Sequence, residues 1–281
     1  MSAQYLDGKK CAEALQERIR NTISDRKSKG LSTPGIAVIL VGDDHASHIY
    51  VAGKKRACES VGMHSALHEL PTDTKTDTVA HLITKLNSDP NIHGILLQLP
   101  LPPQIDAELL LELIDPKKDV DGFHPYNLGR LAQQRPLLRP CTPWGIMQLL
   151  GYYKIMVRGL NAVILGTSNI VGRPMALELL LAQATVTVCN SKTKNLAEHV
   201  QKADLLISAM GNRNVVQGEW IKPGSIVVDV GMNRLETGKV VGDLDFVSAE
   251  KRAAWITPVP GGVGPMTIAV LLENTLRATS L

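Results

Sequence analysis

Apolar runs of strand length alternate with helix-patterned segments along almost the whole chain, and that alternation restricts the fold more than any other feature. A short continuous apolar run bounded by turn residues suits a strand buried on both faces. Strands separated by helices pair in parallel, because the crossover needs a connection of helix length. In the first half the runs are 35–42 (GIAVILVG), 63–70 and 93–100, with helical patterns at 47–61 and 75–87. The stretch PLPPQID interrupts the pattern, and 106–114 reads as a short helix. In the second half 161–166 (NAVILG), 184–189, 203–209 and 225–230 read as strands, with helices at 171–182 and 194–201. A final apolar helix is expected at 266–279, and the stretch from Met1 to Arg20 reads as an amphipathic helix. The expected class is α/β, an N-terminal α/β domain followed by a Rossmann-like βαβαβ domain.

A chain of 281 residues exceeds one ordinary core and suits two domains. The region 119–145 is rich in Gly, Pro and basic residues, so the join is placed there. One domain is expected over 1–140 plus 266–281 and the other over 141–265. A net charge of only +3, without a basic tract carrying aromatics, argues against nucleic acid as a partner and leaves room for a small anionic ligand. Cys11, Cys58, Cys141 and Cys189 are scattered without a close pair, which suits reduced thiols in the cytoplasm. The N-terminus shows no apolar signal core, and no apolar run reaches the roughly 18 residues of a membrane span.

The turn after 161–166 reads GTSNIVGRP. Gly166, Ser168 and Gly172 depart from the G-x-G-x-x-G spacing, yet the physics is shared. A buried strand delivers the chain to a helix N-terminus, whose free N–H groups and dipole favour a phosphate. Gly166 lets the backbone turn close to a ligand, Gly172 allows close helix–strand packing, and Pro174 fits a first helical turn. The same glycines also suit a purely structural connection, and strands on both sides favour a dinucleotide. The next strand ends in Cys189-Asn190-Ser191-Lys192-Thr193 without the acid that usually holds a ribose 2′-hydroxyl. Hydroxyl and ammonium groups there favour NADP over NAD.

On the helix at 47–61, Tyr50 and Lys54 are four residues apart and share a face. Taken alone, that pair suits a surface lysine packing its stem on an aromatic ring. Gln98 is a polar residue at the end of an apolar strand, and Asp121 precedes Gly122 in DVDGFHP; each also has an ordinary reading as a strand-end amide or a turn residue.

Together these segments resemble one family over nearly the whole chain. VGDDHASHIYVAGKKRAC, GILLQLPLP, KDVDGFHPYNLGRL, RPCTPWG, GTSNIVGRPMA and TPVPGGVGPMT are similar to the bifunctional methylenetetrahydrofolate dehydrogenase/cyclohydrolases. The resemblance implies a folate-binding catalytic domain, an NADP-binding domain and a cleft between them. It implies that Tyr50 stacks on the folate, Lys54 serves as acid/base, Gln98 positions it, and Asp121 accepts hydrogen bonds from the pterin. Leu99, Pro260, Gly261 and Gly262 would line the folate, with Gly264 nearby. Gly166, Thr167, Ser168, Gly172, Ser191 and Met232 would hold the cofactor. It also implies a homodimer. To accept a proton, Lys54 has to lose its charge through burial or a neighbouring cation.

The chain departs from the family at two places. Many members carry Arg where this chain has Thr167, and others where it has Ser191; NADP preference then falls to Ser191, Thr193, Lys192 or Arg173. Asp43, Asp44, His45 and His48 suggest a metal-dependent hydrolase at first sight. They open a helix, where Asp is a natural cap, and no further ligand cluster is evident, so no metal is expected. A non-catalytic carrier of folate or dinucleotide is the alternative from another class.

Overall fold

The computed structural model describes residues 2–213 and 215–281. In chain order its first elements are β1 (Gln4–Tyr5), α1 (Gly8–Ser28), β2 (Gly35–Val41), α2 (His45–Val61), β3 (His64–Leu70), α3 (Thr76–Ser88) and β4 (Gly94–Leu97). Then come α4 (Ala107–Leu113), α5 (Pro125–Ala132), α6 (Cys141–Tyr152), β5 (Asn161–Leu165), α7 (Gly172–Leu181) and β6 (Thr185–Cys189). The remainder is α8 (Leu196–Gln201), β7 (Leu205–Ser208), β8 (Ile226–Asp229), β9 (Asn233–Arg234), β10 (Val240–Val241), α9 (Phe246–Glu250), β11 (Trp255–Ile256) and α10 (Val263–Ala278). The chain packs as two compact units, Met1–Ala12 with Thr142–Thr267 and Glu13–Cys141 with Ile268–Leu281.

In the unit containing 13–141, three parallel strands lie in the order β3-β2-β4, with Val38 opposite both Leu67 and Leu96. All residues of β2 are buried, as its unbroken apolar run requires. Ala37, Ile39 and Val41 pack in one cluster with Val79 and Ile83 of α3 and Leu110 of α4. Each fully buried Ile or Leu here contributes roughly 1.5–3 kcal/mol. The strand order sends the chain from central β2 to β3 on one side and β4 on the other. Such a switch point opens a crevice at the carboxyl ends of the strands, and Gly42, α2 and Gln98 follow those ends.

The other unit holds a six-stranded sheet ordered β1-β11-β8-β7-β5-β6, with every pair parallel. Val163, Leu165, Leu206, Val227 and Ile256 share its core with Val200, Ile221 and Ala249. Its switch point lies at β5, between β7 and β6, and the GTSNIVGRP turn leaves the end of that strand.

Two expectations change. The stretch from Met1 to Arg20 is not all helix: Gln4–Tyr5 adds an edge strand to β11, through Gln4 N–H to Ala254 O (2.8 Å) and Leu6 N–H to Ile256 O (2.9 Å). Helix α1 starts after Asp7, whose Oδ1 accepts from the N–H groups of Lys9 (2.9 Å) and Lys10 (3.1 Å). This edge pairing is why residues 2–12 pack with the unit of 142–267, where the expected division had counted them with 13–140. The region 119–145, expected as a join, also contains α5 and the start of α6. Pro125 and Pro143 stand in first turns, where a missing N–H costs little.

Candidate active site

Helix α2 is set by its ends. Asp44 caps it by accepting from Ser47 N–H at 2.8 Å, and Gly62 terminates it at φ 79°. Buried Val51 and Cys58 fix which face turns inward, and burial pushes the Cys58 thiol up to about 11. Lys54 is left half-buried, and its Nζ donates to Gln98 Oε1 at 2.9 Å. Gln98 is itself held twice: its backbone N–H donates to Ile39 O (2.9 Å) and its Nε2 to Leu99 O (2.6 Å). With Nε2 committed to a carbonyl, Oε1 is the atom that faces the ammonium. The Leu99–Pro100 peptide is cis. Tyr50 lies one turn before Lys54, 36% exposed, with its phenol raised by burial.

Asp121 completes the group. Its carboxyl is raised by burial, with Asp119 adding to the effect, while Lys54 and Cys141 pull it down. Lys54 and Asp121 are thus within electrostatic reach of each other. The pair combines a lysine donor with a carboxyl group whose burial favours its neutral form.

On the nucleotide side, Gly166 adopts φ 119°, and a Cβ there would run into the carbonyl oxygen of Ala209. A Cβ on Gly172 would collide with the Gly166 carbonyl oxygen. Gly166 is thus required by its backbone conformation and Gly172 by lack of room for a side chain, and the turn passes tightly from β5 into α7. Ser168 Oγ accepts from the N–H groups of Val171 (3.2 Å) and Gly172 (3.4 Å). Thr167 and Ser191 are exposed, and Met232 is 51% exposed. This cradle of backbone, hydroxyls and a helix N-terminus fits a dinucleotide phosphate. In PGGVG, the Val259–Pro260 peptide is cis and Gly261 has φ 109°. Gly261 O accepts from Gly8 N–H at 2.9 Å and Lys9 N–H at 3.2 Å. That segment thus packs against the start of α1 in its own unit.

Residues 6–121 match the family "Tetrahydrofolate dehydrogenase/cyclohydrolase, catalytic domain", and residues 140–281 match its "NAD(P)-binding domain". The bifunctional FolD enzyme of Campylobacter jejuni, a methylenetetrahydrofolate dehydrogenase/cyclohydrolase, is 50% identical at a TM-score of 0.97, covering 99% of both chains. A Trypanosoma brucei methylenetetrahydrofolate dehydrogenase-cyclohydrolase, solved with NADP and an inhibitor, is 37% identical at 0.96, covering 100% of this chain and 98% of its own. A 5,10-methylenetetrahydrofolate dehydrogenase of the silkworm Bombyx mori is 38% identical at 0.92, with 99% and 98% covered. The chain belongs to the tetrahydrofolate dehydrogenase/cyclohydrolase family.

A dehydrogenase/cyclohydrolase is an enzyme, so the carrier alternative falls away. Asp43, Asp44, His45 and His48 do not converge as ligands. Asp44 caps α2, Asp43 Oδ2 accepts from Thr72 Oγ1 at 3.1 Å, and His48 Nδ1 lies 3.7 Å from Glu69 Oε1. Among the described residues no three His, Cys, Asp or Glu side chains form a metal-binding group, and no helix is long and apolar enough to cross a membrane.

The structure also reveals supporting residues that the sequence reading missed. Asp119, 2% exposed, accepts from the N–H groups of Gly122 (3.1 Å), Phe123 (3.2 Å) and His124 (2.9 Å) and from Asn127 Nδ2 (2.8 Å). Burial pushes its carboxyl up, and these donors oppose that. Asn274 of α10 donates from Nδ2 to Val120 O and Arg139 O, both at 2.8 Å. Asp121 is thus clamped from both sides of its turn. In the nucleotide unit Asp243 Oδ2 accepts from Met210 N–H (2.8 Å) and Gly211 N–H (3.1 Å), and Oδ1 accepts from Asn233 Nδ2 (2.9 Å). Asp229 accepts from the N–H groups of Gly231 (2.9 Å), Asp243 (3.0 Å) and Leu244 (2.9 Å). These carboxylates hold the loops that follow β7 and β8, including the one that carries Met232. The signal in the sequence was slight, a Gly within three residues of each of Asp119, Asp229 and Asp243.

Proposed function

We propose that the enzyme oxidises 5,10-methylenetetrahydrofolate to the 5,10-methenyl form with NADP and then hydrolyses that product to 10-formyltetrahydrofolate, with Lys54 as the acid/base. The observation that carries this reading is the hydrogen bond from Lys54 Nζ to an orientation-locked Gln98, at the carboxyl ends of a parallel sheet. Bound NADP supplies the hydride acceptor. The protein's part in that step is orientation, because the folate nitrogens themselves stabilise the developing cation.

Tyr50 offers a half-buried ring against which a flat folate can stack, and Asp121 accepts hydrogen bonds from pterin N–H groups. Leu99, which follows Gln98, lines the folate. Gly166, Thr167, Ser168, Gly172, Ser191 and Met232 hold the dinucleotide. In the second step water adds to the methenyl carbon and gives up a proton, and the bond from that carbon to N5 breaks to leave the formyl group on N10. An ammonium has three donors, of which Gln98 takes one. A cationic substrate beside Nζ favours the neutral amine, which can then take the proton from water and return it to N5. NADP is chosen over NAD because no acid follows β6. The reading further assigns a homodimer and a cytoplasmic site, with Cys11, Cys58, Cys141 and Cys189 buried as free thiols.

The test combines two spectrophotometric assays, methylenetetrahydrofolate oxidation with each nicotinamide cofactor and methenyl hydrolysis, on the wild type, Lys54→Met and Lys54→Gln. The variants should lose hydrolysis while still binding folate and NADP. Full methenyl hydrolysis by either variant would remove Lys54 from the role. A wild type that oxidises the substrate better with NAD, at lower KM and higher kcat, would overturn the cofactor choice.

A further inference from the structure

An enzyme that prefers NADP has to answer a 2′-phosphate carrying close to two negative charges, and a guanidinium does so better than a hydroxyl. Leu165 and Cys189 are register partners at the ends of β5 and β6. Thr167 and Ser191 each stand two residues further on, so the two hydroxyl residues follow neighbouring strand ends where an adenosine ribose is read in this fold class. Neither carries charge. The cations in the adjoining sequence are Arg173, Lys192 and Lys194.

The structure separates these candidates. The backbone of the 190–193 loop folds onto itself: Thr193 Oγ1 accepts from Asn190 N–H at 2.9 Å, and Asn190 Oδ1 accepts from Lys192 N–H at 2.8 Å. The hydroxyl of Thr193 is therefore already engaged in shaping the loop, and Lys192 and Lys194 are exposed point charges on long stems. Holding such a stem costs rotamer freedom. Arg173 differs. It is the second residue of α7, exposed, and its Nε donates back to Thr167 O at 3.1 Å, while its own N–H donates to Ser168 O at 3.1 Å. A guanidinium has five N–H donors, and this bond uses the one on Nε. The anchor brings the head group back to residue 167. A cation in the first turn of a helix also opposes the helix dipole, so its position gains nothing for α7 unless an anion arrives.

We propose that Arg173 recognises the 2′-phosphate of NADP, supplying from α7 the guanidinium that position 167 lacks. This rests on the reading that the enzyme uses NADP. The test is calorimetric titration of 2′,5′-ADP and of 5′-ADP into the wild type, Arg173→Ala, Arg173→Lys and the double variant Thr167→Arg/Arg173→Ala. In Arg173→Ala the affinity for 2′,5′-ADP should fall roughly tenfold or more, as for loss of a charge-assisted hydrogen bond. Binding of 5′-ADP should hold. Arg173→Lys should fall between, because a point charge cannot make the forked contact, and the double variant should regain 2′,5′-ADP affinity. Steady-state kinetics should show KM for NADP rising while KM for NAD stays.

Equal weakening of both nucleotides would overturn the proposal, since it would mark Arg173 as a pyrophosphate contact or a support of the turn. Unchanged affinity for 2′,5′-ADP would overturn it as well. If the wild type itself failed to prefer 2′,5′-ADP over 5′-ADP, the NADP reading would fall first.

Discussion

Asn274 offers the sharpest test of how the Asp121 turn is held. Its Nδ2 has two hydrogens and donates both, to Val120 O and Arg139 O at 2.8 Å, and the residue is 4% exposed. In Asn274→Ala both carbonyls lose a donor in a place water barely reaches. An unsatisfied buried polar group costs about 1–3 kcal/mol. Val120 O retains a weak donor in Cys141 Sγ at 3.2 Å, so its share falls at the low end. The expected loss is roughly 2–4 kcal/mol, taking the two carbonyls together. It should appear as a lower urea midpoint by far-ultraviolet circular dichroism. Because Asp121 lies between this clamp and Asp119, dehydrogenase kcat/KM should fall at temperatures where the variant stays folded.

Asn274→Asp sharpens the test at nearly constant volume. A carboxylate there faces two carbonyls, so the folded state favours the protonated acid and raises its pKa. The sign follows: the folded state binds the extra proton, and the variant loses stability as pH rises. At neutral pH Asn274→Asp should be less stable than Asn274→Ala, and it should recover toward acid, where one O–H can again donate. An alanine variant within about 0.5 kcal/mol of wild type, the range of ordinary surface changes, would refute the reasoning. So would an aspartate variant whose stability ignores pH.

Gly166→Ala should be severely damaging, because the residue sits at φ 119° and its Cβ would run into the Ala209 carbonyl oxygen. Strain and overpacking of about 1–3 kcal/mol each predict a lower melting temperature and weakened NADP binding, and wild-type values for both would refute the reading of the turn. Asp229 is 5% exposed and burial carries its carboxyl to about 6, against an ordinary value near 3.9. A raised folded pKa gives stability that is present below the ordinary value and lost as pH rises through the folded one, here a total of at most roughly 3 kcal/mol. Denaturation midpoints should therefore decline across that window in the wild type, and this component of the slope should vanish in Asp229→Asn whatever its absolute stability.

The fold was legible where strands are buried on both faces. GIAVILVG, NAVILG and ADLLISA are continuous apolar runs because helices pack on both sides of a parallel sheet, and β2, β5 and β7 form inside them. Strands of two residues carry no such run. Gln4 and Tyr5 are both exposed, and only the edge of β11 makes them a strand. The helices α5 and α6 hid behind Pro125, Gly129, Pro143 and Gly145, residues that normally punctuate. The prolines stand at helix starts, and Gly145 lies against Met266, where a Cβ would come within 3.1 Å of that side chain. Local propensity yielded to packing at that point.

The candidate site residues and the residues that hold them differ in the same way. Tyr50 and Lys54 share a helix face by their spacing alone, and Gln98 stands out as a polar residue ending an apolar strand. Asp119, Asp229 and Asp243 work through backbone N–H groups, and a backbone partner leaves no mark on residue type. Asn274 acts on Val120 and Arg139, 154 and 135 positions away in the chain, across which no periodicity could point. Yet these side chains share one task. Loops at the carboxyl ends of parallel strands leave strand ladders behind and must find other partners for their N–H groups. A buried carboxylate with three or four donors meets that need and fixes the loop at once. At 229–243 the glycines admit the close approach this needs: a Cβ on Gly231 or Gly242 would collide with the carboxyl group of Asp243 or Asp229.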